Sequence, residues 1–233
     1  MSAWLADFKQ NFSDYLKANP TAFADCKIMC GGQTFDAQRL LLSSRSVVFA
    51  AMFGNESTKE AQTKVVEIED MSPETVSIFL EFIRYDALPD AKIKGQEIPL
   101  MDAAEKYQMP GLKREIEFFL ISEMTDHNYD IVATAAYLSS VYGLNSAKIK
   151  VHHALVCYKN EIVATSSWVA LRKSHPKLSV EIEDLADKII KLCVVPKGVR
   201  RDCGLPVHST FHEMFNFVEA SITKGVDGDV GPN

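Results

Sequence analysis

Two adjacent glycines, Gly31-Gly32, stand between the short runs 26–30 and 34–37, and only two residues separate the second run from Leu40-Leu41-Leu42. Paired glycines supply the positive φ angles of a two-residue turn, so this spacing predicts a tight β-hairpin. The segment after the hairpin has no strand period. Leu40, Leu41 and Leu42, then Val47, Val48, Phe49, Met52 and Phe53, are too apolar to be surface, and Ser43, Ser44 and Ser46 interrupt them where a second helix would be capped. The expectation is a hairpin and then two short buried helices.

Before the hairpin, residues 3–17 place Leu5, Phe8, Phe12, Tyr15 and Leu16 in one helical stripe, which Asn19-Pro20 ends. After the two buried helices, 64–68 reads as a strand through Val65, Val66 and Ile68. Met71-Ser72-Pro73-Glu74 reads as a helix start, with Ser72 as cap and Pro73 at the first helical position, so that a helix runs from 73 to about 84. A polar loop over 89–96 and helices over 98–107 and 111–123 complete the first half; Leu112, Ile116, Phe119 and Leu120 share one face of the last. This order predicts an α+β fold, a small sheet covered by helices. From Thr125-Asp126 the pattern becomes wholly helical, over 128–142, 146–158, 166–173 and 176–192. The expected domains are therefore 1–124, an all-α extension over 125–192, and a partly flexible C-terminal segment over 193–233 with one weak helical pattern at 211–222.

Composition narrows the function classes. With 47% hydrophobic residues in 233, the chain has enough apolar surface for a real core. Its 25 Lys and Arg against 31 Asp and Glu give a net charge of −6, which argues against a phosphate-backbone partner, so no nucleic acid is expected. No window approaches the apolar length of a membrane helix, and residues 1–10 lack a signal-peptide pattern, so the expectation is no membrane and a cytoplasmic or nuclear protein. Five scattered cysteines, Cys26, Cys30, Cys157, Cys193 and Cys203, fit free thiols in a reducing compartment.

The stretch from Asp25 to Phe53 carries a more specific signal. Asp25, Gly32, Phe35, Ala37, Arg39, Leu42, Ser46, Phe49, Met52 and Phe53 match, in order and spacing, the signature of the BTB/POZ domain, which this chain therefore resembles. Ala103-Ala104-Glu105-Lys106-Tyr107 with Leu112-Lys113 resembles the family's last helical pair. Thr165-Ser166-Ser167-Trp168 and Ser174-His175-Pro176-Lys177-Leu178 resemble the truncated BACK-like extension of speckle-type POZ protein and its relatives. Three positions depart from the pattern. Gln38 replaces the usual His, Arg84 replaces a frequent Tyr with Tyr85 one place later, and Thr58-Lys59-Glu60 stands where cullin-binding relatives carry a hydrophobic-x-Glu motif. The acid is kept there and the apolar anchor is not.

The resemblance implies a non-enzymatic homodimeric protein-interaction adaptor of a cullin-RING ubiquitin ligase, which promotes ubiquitination of a bound protein substrate. It implies a dimer interface at Leu5, Phe8, Phe12, Leu41 and Leu42, with Asp25 and Arg39 as an orienting charge pair, and cullin docking around Thr58, Lys59, Glu60 and Tyr85. No Kelch, zinc-finger or MATH-type pattern occurs in these residues, so the substrate reader is expected in the C-terminal segment or on a heterodimeric partner. The rival reading is a BTB scaffold or heterodimerising regulator without a ligase. No cofactor, metal or catalytic residue is expected. Cys193, Cys203, His208 and His212 match no common zinc-ligand spacing. His152, His153 and His175 have no adjacent acid and nucleophile in sequence. Trp168 and Phe49 read as core, and Gly31-Gly32 precedes a strand instead of a phosphate-binding helix.

Overall fold

The structure, a computed structural model, describes residues 3–125 and 128–192. In chain order these form α1 (Ala3–Ala18), β1 (Cys26–Cys30), β2 (Gln33–Ala37), α2 (Arg39–Arg45), α3 (Val47–Gly54), α4 (Lys59–Thr63), β3 (Val65–Glu67), α5 (Pro73–Tyr85), α6 (Asp90–Ile93), α7 (Glu97–Lys106), α8 (Pro110–Glu123), α9 (Asp130–Tyr142), α10 (Asn145–Val163), α11 (Ser166–Ser174) and α12 (Pro176–Leu192). They divide into two units, Met1–Ile116 and Glu117–Asn233, with the division inside α8. The expected α+β fold with a helical continuation is what forms.

In the first unit β1 and β2 pair antiparallel from Cys26↔Ala37 to Cys30↔Gln33, and the two linking glycines take φ of +52° and +78°. Positive φ at both central residues makes this a two-residue turn matched to the right-handed twist of its strands. Gly31 is needed for a second reason: a Cβ there would lie 2.8 Å from Pro73 Cγ, so the hairpin tip rests on the first residue of α5. β3 joins the other edge of β1 in parallel, giving the order β2-β1-β3. The strand period is kept, since Cys26, Ile28 and Cys30 are buried and Lys27 and Met29 are not. β3 is shorter than the expected 64–68. The flanking backbone still bonds to β1, however, through Lys27 N–H to the Lys64 carbonyl (2.9 Å) and Ile68 N–H to the Met29 carbonyl (2.8 Å).

Helices cover this sheet through an aromatic cluster. Ser46 breaks α2 from α3 in extended conformation, and its Oγ accepts the Phe49 N–H (3.2 Å) while donating to the Tyr107 carbonyl (2.6 Å). That pins Phe49 against Tyr107, with ring centroids 4.6 Å apart, and Phe79 of α5 closes the cluster 5.2 Å from Tyr107. All three rings are fully buried. Burial, with Asp70 and Cys30 nearby, pushes the Tyr107 hydroxyl up to about 12, so it stays protonated at any physiological pH. Ser72 caps α5 through the Thr75 N–H (3.0 Å), with Pro73 at the first helical position as expected. At the other end of α5, Asp86 turns left-handed and pairs with Arg45.

Three segments differ from the sequence expectation. Residues 59–63, for which the sequence pattern offers no element, and 90–93, expected as loop, are helical turns. The first buries no residue and the second only Ile93, so neither shows an apolar period in sequence. The helix expected to end near 158 continues to Val163, with Tyr158 out of helical geometry at φ −134°, ψ 35°; the break in pattern is a kink and not an end.

The second unit is packed by helices alone. Glu117 Oε1 accepts the Ser146 and Ala147 N–H groups (3.0 and 3.2 Å), which the start of α10 would otherwise leave unpaired. Trp168, fully buried as expected, donates from Nε1 to Glu183 of α12 (2.8 Å), and Arg172 grips the same carboxylate with two bonds (2.8 and 2.7 Å). Burial alone would raise Glu183, but the bonds from Arg172 and Trp168 hold it below the usual carboxylate range. Leu185 and Ile189 of α12 pack with Ile149 and Val156 of α10. Among the described residues, no helix is long and apolar enough to cross a membrane.

Candidate functional site

The most exposed apolar surface of the first unit begins on α1. Trp4, Phe8 and Phe12 recur every four residues, so their rings stack along one helix face with centroids 6.2 and 6.1 Å apart. They stand 74%, 55% and 40% exposed, and Tyr15, one turn on, is 48% exposed. Leu16 in the last turn is buried. Phe8 and Phe12 therefore lie on the surface, as a partner-facing stripe requires. Leu5 lies on the same helix, and Trp4, which is not part of the stripe expected from sequence, heads the ladder. An i, i+4, i+8 run of aromatics was the signal that could have found it.

Beyond α1 the chain turns through Asn19 to Ala24. The Asp25 carboxylate accepts the Arg39 backbone N–H on one oxygen (2.7 Å) and Arg39 Nε on the other (2.9 Å), so it caps α2 from outside while making the expected charge pair. Desolvation pushes the Asp25 carboxyl up, and the bonds from Arg39 outweigh it and hold the group below its ordinary value. Burial, with the same carboxylate beside it, drives the neighbouring Cys26 thiol up to about 12, leaving it protonated and unreactive. On α2, Leu42 is 1% exposed and belongs to the unit's own core, whereas Leu41 is half-buried and Leu40 faces solvent. The helical period turns Leu42 inward, so of the two leucines expected at an interface Leu42 is taken up by its own core, and Leu40 is the solvent-facing leucine of this helix.

With this geometry in place, comparison with known proteins is decisive for the family. The family model described as BTB/POZ domain matches residues 14–124. This part of the chain is a BTB/POZ domain. Relatives of this chain include mouse TD and POZ domain-containing protein 3, 32% identical over 68% of this chain and 42% of the relative. Mouse TD and POZ domain-containing protein 4 is 28% identical over 68% of this chain and 42% of its own. The nematode Caenorhabditis elegans supplies BTB and MATH domain-containing protein 42, 28% identical over 69% of this chain and 38% of its own. The chain thus spans less than half the length of the curated relatives it matches. Among solved structures, the BTB domain of zebrafish PATZ1 aligns over 50% of this chain and 90% of its own, with 21% identity and a TM-score of 0.39.

Within the BTB/POZ domain the docking candidates fall as follows. Thr58 is the N-cap of α4: its Oγ1 accepts the Ala61 N–H (3.2 Å) and lies 2.5 and 2.8 Å from the Met52 and Asn55 carbonyls. Its hydroxyl is thus committed to the backbone. Lys59 pairs with Glu67 of β3 (2.9 Å), and Glu60 sits in the first turn of α4. Tyr85 closes α5 half-buried, with the Lys17 ammonium 5.6 Å from its ring centroid, and so ties the end of α1 to α5. Arg84, beside it, donates to the Asp36 carbonyl on the outer edge of β2. Gln38, which stands at the family's usual His, is buried and donates from Nε2 to the Ala22 carbonyl (2.9 Å). A groove of about 530 Å³ opens between the α2–α3 junction and the α7–α8 turn, lined by Arg45, Val47, Gln108, Met109 and Lys113 among others.

Among the described residues, no group of three or more His, Cys, Asp and Glu side chains is placed to hold a metal. Cys193, Cys203, His208 and His212 lie outside the described residues, as does the 211–222 pattern. His152 is buried, its Nδ1 2.8 Å from the Lys148 carbonyl one turn back, and His175 Nδ1 meets Ser174 Oγ at 2.9 Å at the end of α11.

Proposed function

We infer that the BTB/POZ domain makes this a protein-interaction chain. We propose that it is a homodimeric adaptor that docks a cullin scaffold, brings a bound protein substrate to the ubiquitin ligase built on it, and performs no chemistry of its own. The observation that carries the reading is the aromatic ladder of α1. A chain with a well-filled core does not leave Trp4, Phe8, Phe12 and Tyr15 in water along one continuous face unless another surface covers them. Closed two-fold pairing covers such a patch with its own copy. Dimerisation doubles the docking sites, and with them the effective concentration of substrate at the ligase. Sedimentation velocity of the purified chain tests this: a dimer at micromolar concentration is expected, and a monomer overturns the reading.

Cullin docking rests on the resemblance of Thr58-Lys59-Glu60 to the hydrophobic-x-Glu motif. Losing a hot-spot anchor costs about 2 kcal/mol, or roughly 30-fold in affinity. Thr58→Met is expected to tighten binding to a cullin N-terminal domain and Glu60→Ala to weaken it, as measured by calorimetry. Because Thr58 caps α4, Thr58→Ala is the control that loses the cap, at about 1 kcal/mol, without gaining an anchor. The second reading, a BTB scaffold or heterodimerising regulator without ligase binding, is favoured by one observation: the Thr58 hydroxyl is bonded to the chain's own backbone, which leaves only a methyl group as an apolar anchor. Absence of binding even with Met at position 58 selects that reading.

A further inference from the structure

Helix α12 carries two different faces. One turns Ile182, Leu185, Ala186 and Ile189 into the core of the second unit. The other is a strip of Val180, Glu183, Asp187 and Ile190, spaced by three, four and three residues and therefore aligned along the helix. Val180 and Ile190 end this strip 57% and 38% exposed. The two acids between them are already paired: Arg172 of α11 holds Glu183 with two bonds (2.8 and 2.7 Å), and Lys159 of α10 reaches Asp187 (2.6 Å). The Arg172 contact sets α11 beside the strip, and Val169, one turn before Arg172, adds a third exposed apolar side chain at 40%. A partner seated here covers apolar side chains and the aliphatic stems of Lys159 and Arg172 without stranding a charge. Exposed Lys173 and Lys177 stand where α11 passes into α12.

The sequence holds a segment of matching pattern, outside the described residues. Phe211, Met214, Phe215, Val218 and Ile222 follow one another at intervals of three, one, three and four, which on a helix gathers five large apolar side chains on one face that needs a cover. We propose that residues 211–222 form an amphipathic helix that packs, within the same chain, on the strip marked by Val169, Val180 and Ile190. Four observations select this occupant. The strip spans about 15 Å of α12 and a helix over 211–222 about 18 Å, so their lengths agree. The strip ends at Ile190, two residues before the last residue of α12, and the residues 193–210 that follow can reach as far as about 60 Å, ample for the chain to turn back. Glu213 and Glu219 flank the apolar stripe and complement Lys173 and Lys177. A tethered segment is also present at an effective concentration on the order of millimolar, which favours it over the same segment of a second copy. The inference depends on neither dimerisation nor cullin docking.

Photo-cross-linking of the full chain captures whatever covers the strip. A benzoylphenylalanine probe replaces the exposed Val180 in chains grown on light and on heavy nitrogen, and the two are mixed in equal amounts, irradiated and digested. The cross-linked peptide pairs are expected to include residues of 211–222 and to carry a single isotope throughout. Phe215→Asp with Val218→Asp should lower their yield about tenfold or more, because each carboxylate would enter an apolar contact. Circular dichroism should show the helices of the described residues retained, since neither position belongs to their core. Pairs of which about half join light to heavy nitrogen show a second copy on the strip and overturn the proposal. Capture that never involves 211–222 overturns it as well, and so does a yield in the double variant within about twofold of the parent. These outcomes are the same for a monomer or a dimer, with or without cullin binding, so a failure here is distinct from a failure of the proposed function.

Discussion

Helices α1 and α12 bracket the described chain, are 16 and 17 residues long, and each carries an apolar stripe, yet α12 buries its stripe inside its own unit while α1 holds most of its stripe in solvent. In α12, Ile182, Leu185, Ala186 and Ile189 are covered, the Leu185 and Ile189 pair by Ile149 and Val156 of α10. In α1, Leu16 is covered and Trp4, Phe8, Phe12 and Tyr15 are not. A stripe at helical spacing says that something will cover it, not whether the cover comes from the same chain. Helix α12 is therefore a stability element, α1 is the association element of the dimer proposed above, and substitutions on the two should fail in different ways.

The sharpest break is Ile189→Asp. It places a carboxylate where nothing can solvate or pair it, and should cost about 4 kcal/mol or more, a large part of the ~5–15 kcal/mol that holds a domain together. Urea titration followed by circular dichroism should show a collapsed midpoint. The matching change on α1, Phe8→Asp with Phe12→Asp, should lower dimer affinity at least a hundredfold. The thermal midpoint, read at concentrations where the parent is already monomeric, should stay unchanged. If those aspartates unfold the chain, α1 is core after all and the contrast between the two helices disappears.

Smaller changes sharpen the contrast. Glu183→Ala strands the buried Trp168 Nε1–H and should cost about 1–3 kcal/mol by urea denaturation, with Glu183→Gln closer to wild type because its amide oxygen still accepts that bond. The carboxyls of Glu183 and Asp25 both titrate below their ordinary values in the folded chain. A folded value below the unfolded one adds stability that is complete above the ordinary values of 4.5 and 3.8 and is lost as pH falls through the folded values. The thermal midpoint should therefore owe no change to these groups between pH 7 and about 5.5, and should fall on acidification below about 4.5. Glu183→Gln should reduce that acid loss more than Asp25→Asn, because the Asp25–Arg39 pair is well exposed and a surface pair contributes only about 0–1 kcal/mol.

Much of the fold was legible because its signals are local. Gly31-Gly32 set the hairpin, Ser46 the break between two helices, Ser72-Pro73 the start of α5, and the signature from Asp25 to Phe53 named the BTB/POZ domain before any contact was seen. Helices α4 and α6 went unread because one turn with no buried residue, or a single one, has no period to detect. The kink at Tyr158 looked like an end because a break in pattern is the same in sequence whether the chain stops or bends.

The sequence by itself determined where most of the helices and strands form, which domain family the first half belongs to, and that α1 would be amphipathic, because each of these follows from side-chain chemistry at short spacing. Only the tertiary structure decided that Leu42 turns inward and Leu40 outward, that the Thr58 hydroxyl caps α4, that Tyr85 lies beneath Lys17, and that Phe23 is locked left-handed beside Tyr15. The turn and the tyrosine depend on groups many residues away: Gln38 holds the turn at Ala22, and Lys17 reaches across to α5. A side chain's exposure is settled by what packs on its other side, and that neighbour is chosen by the path of the whole chain.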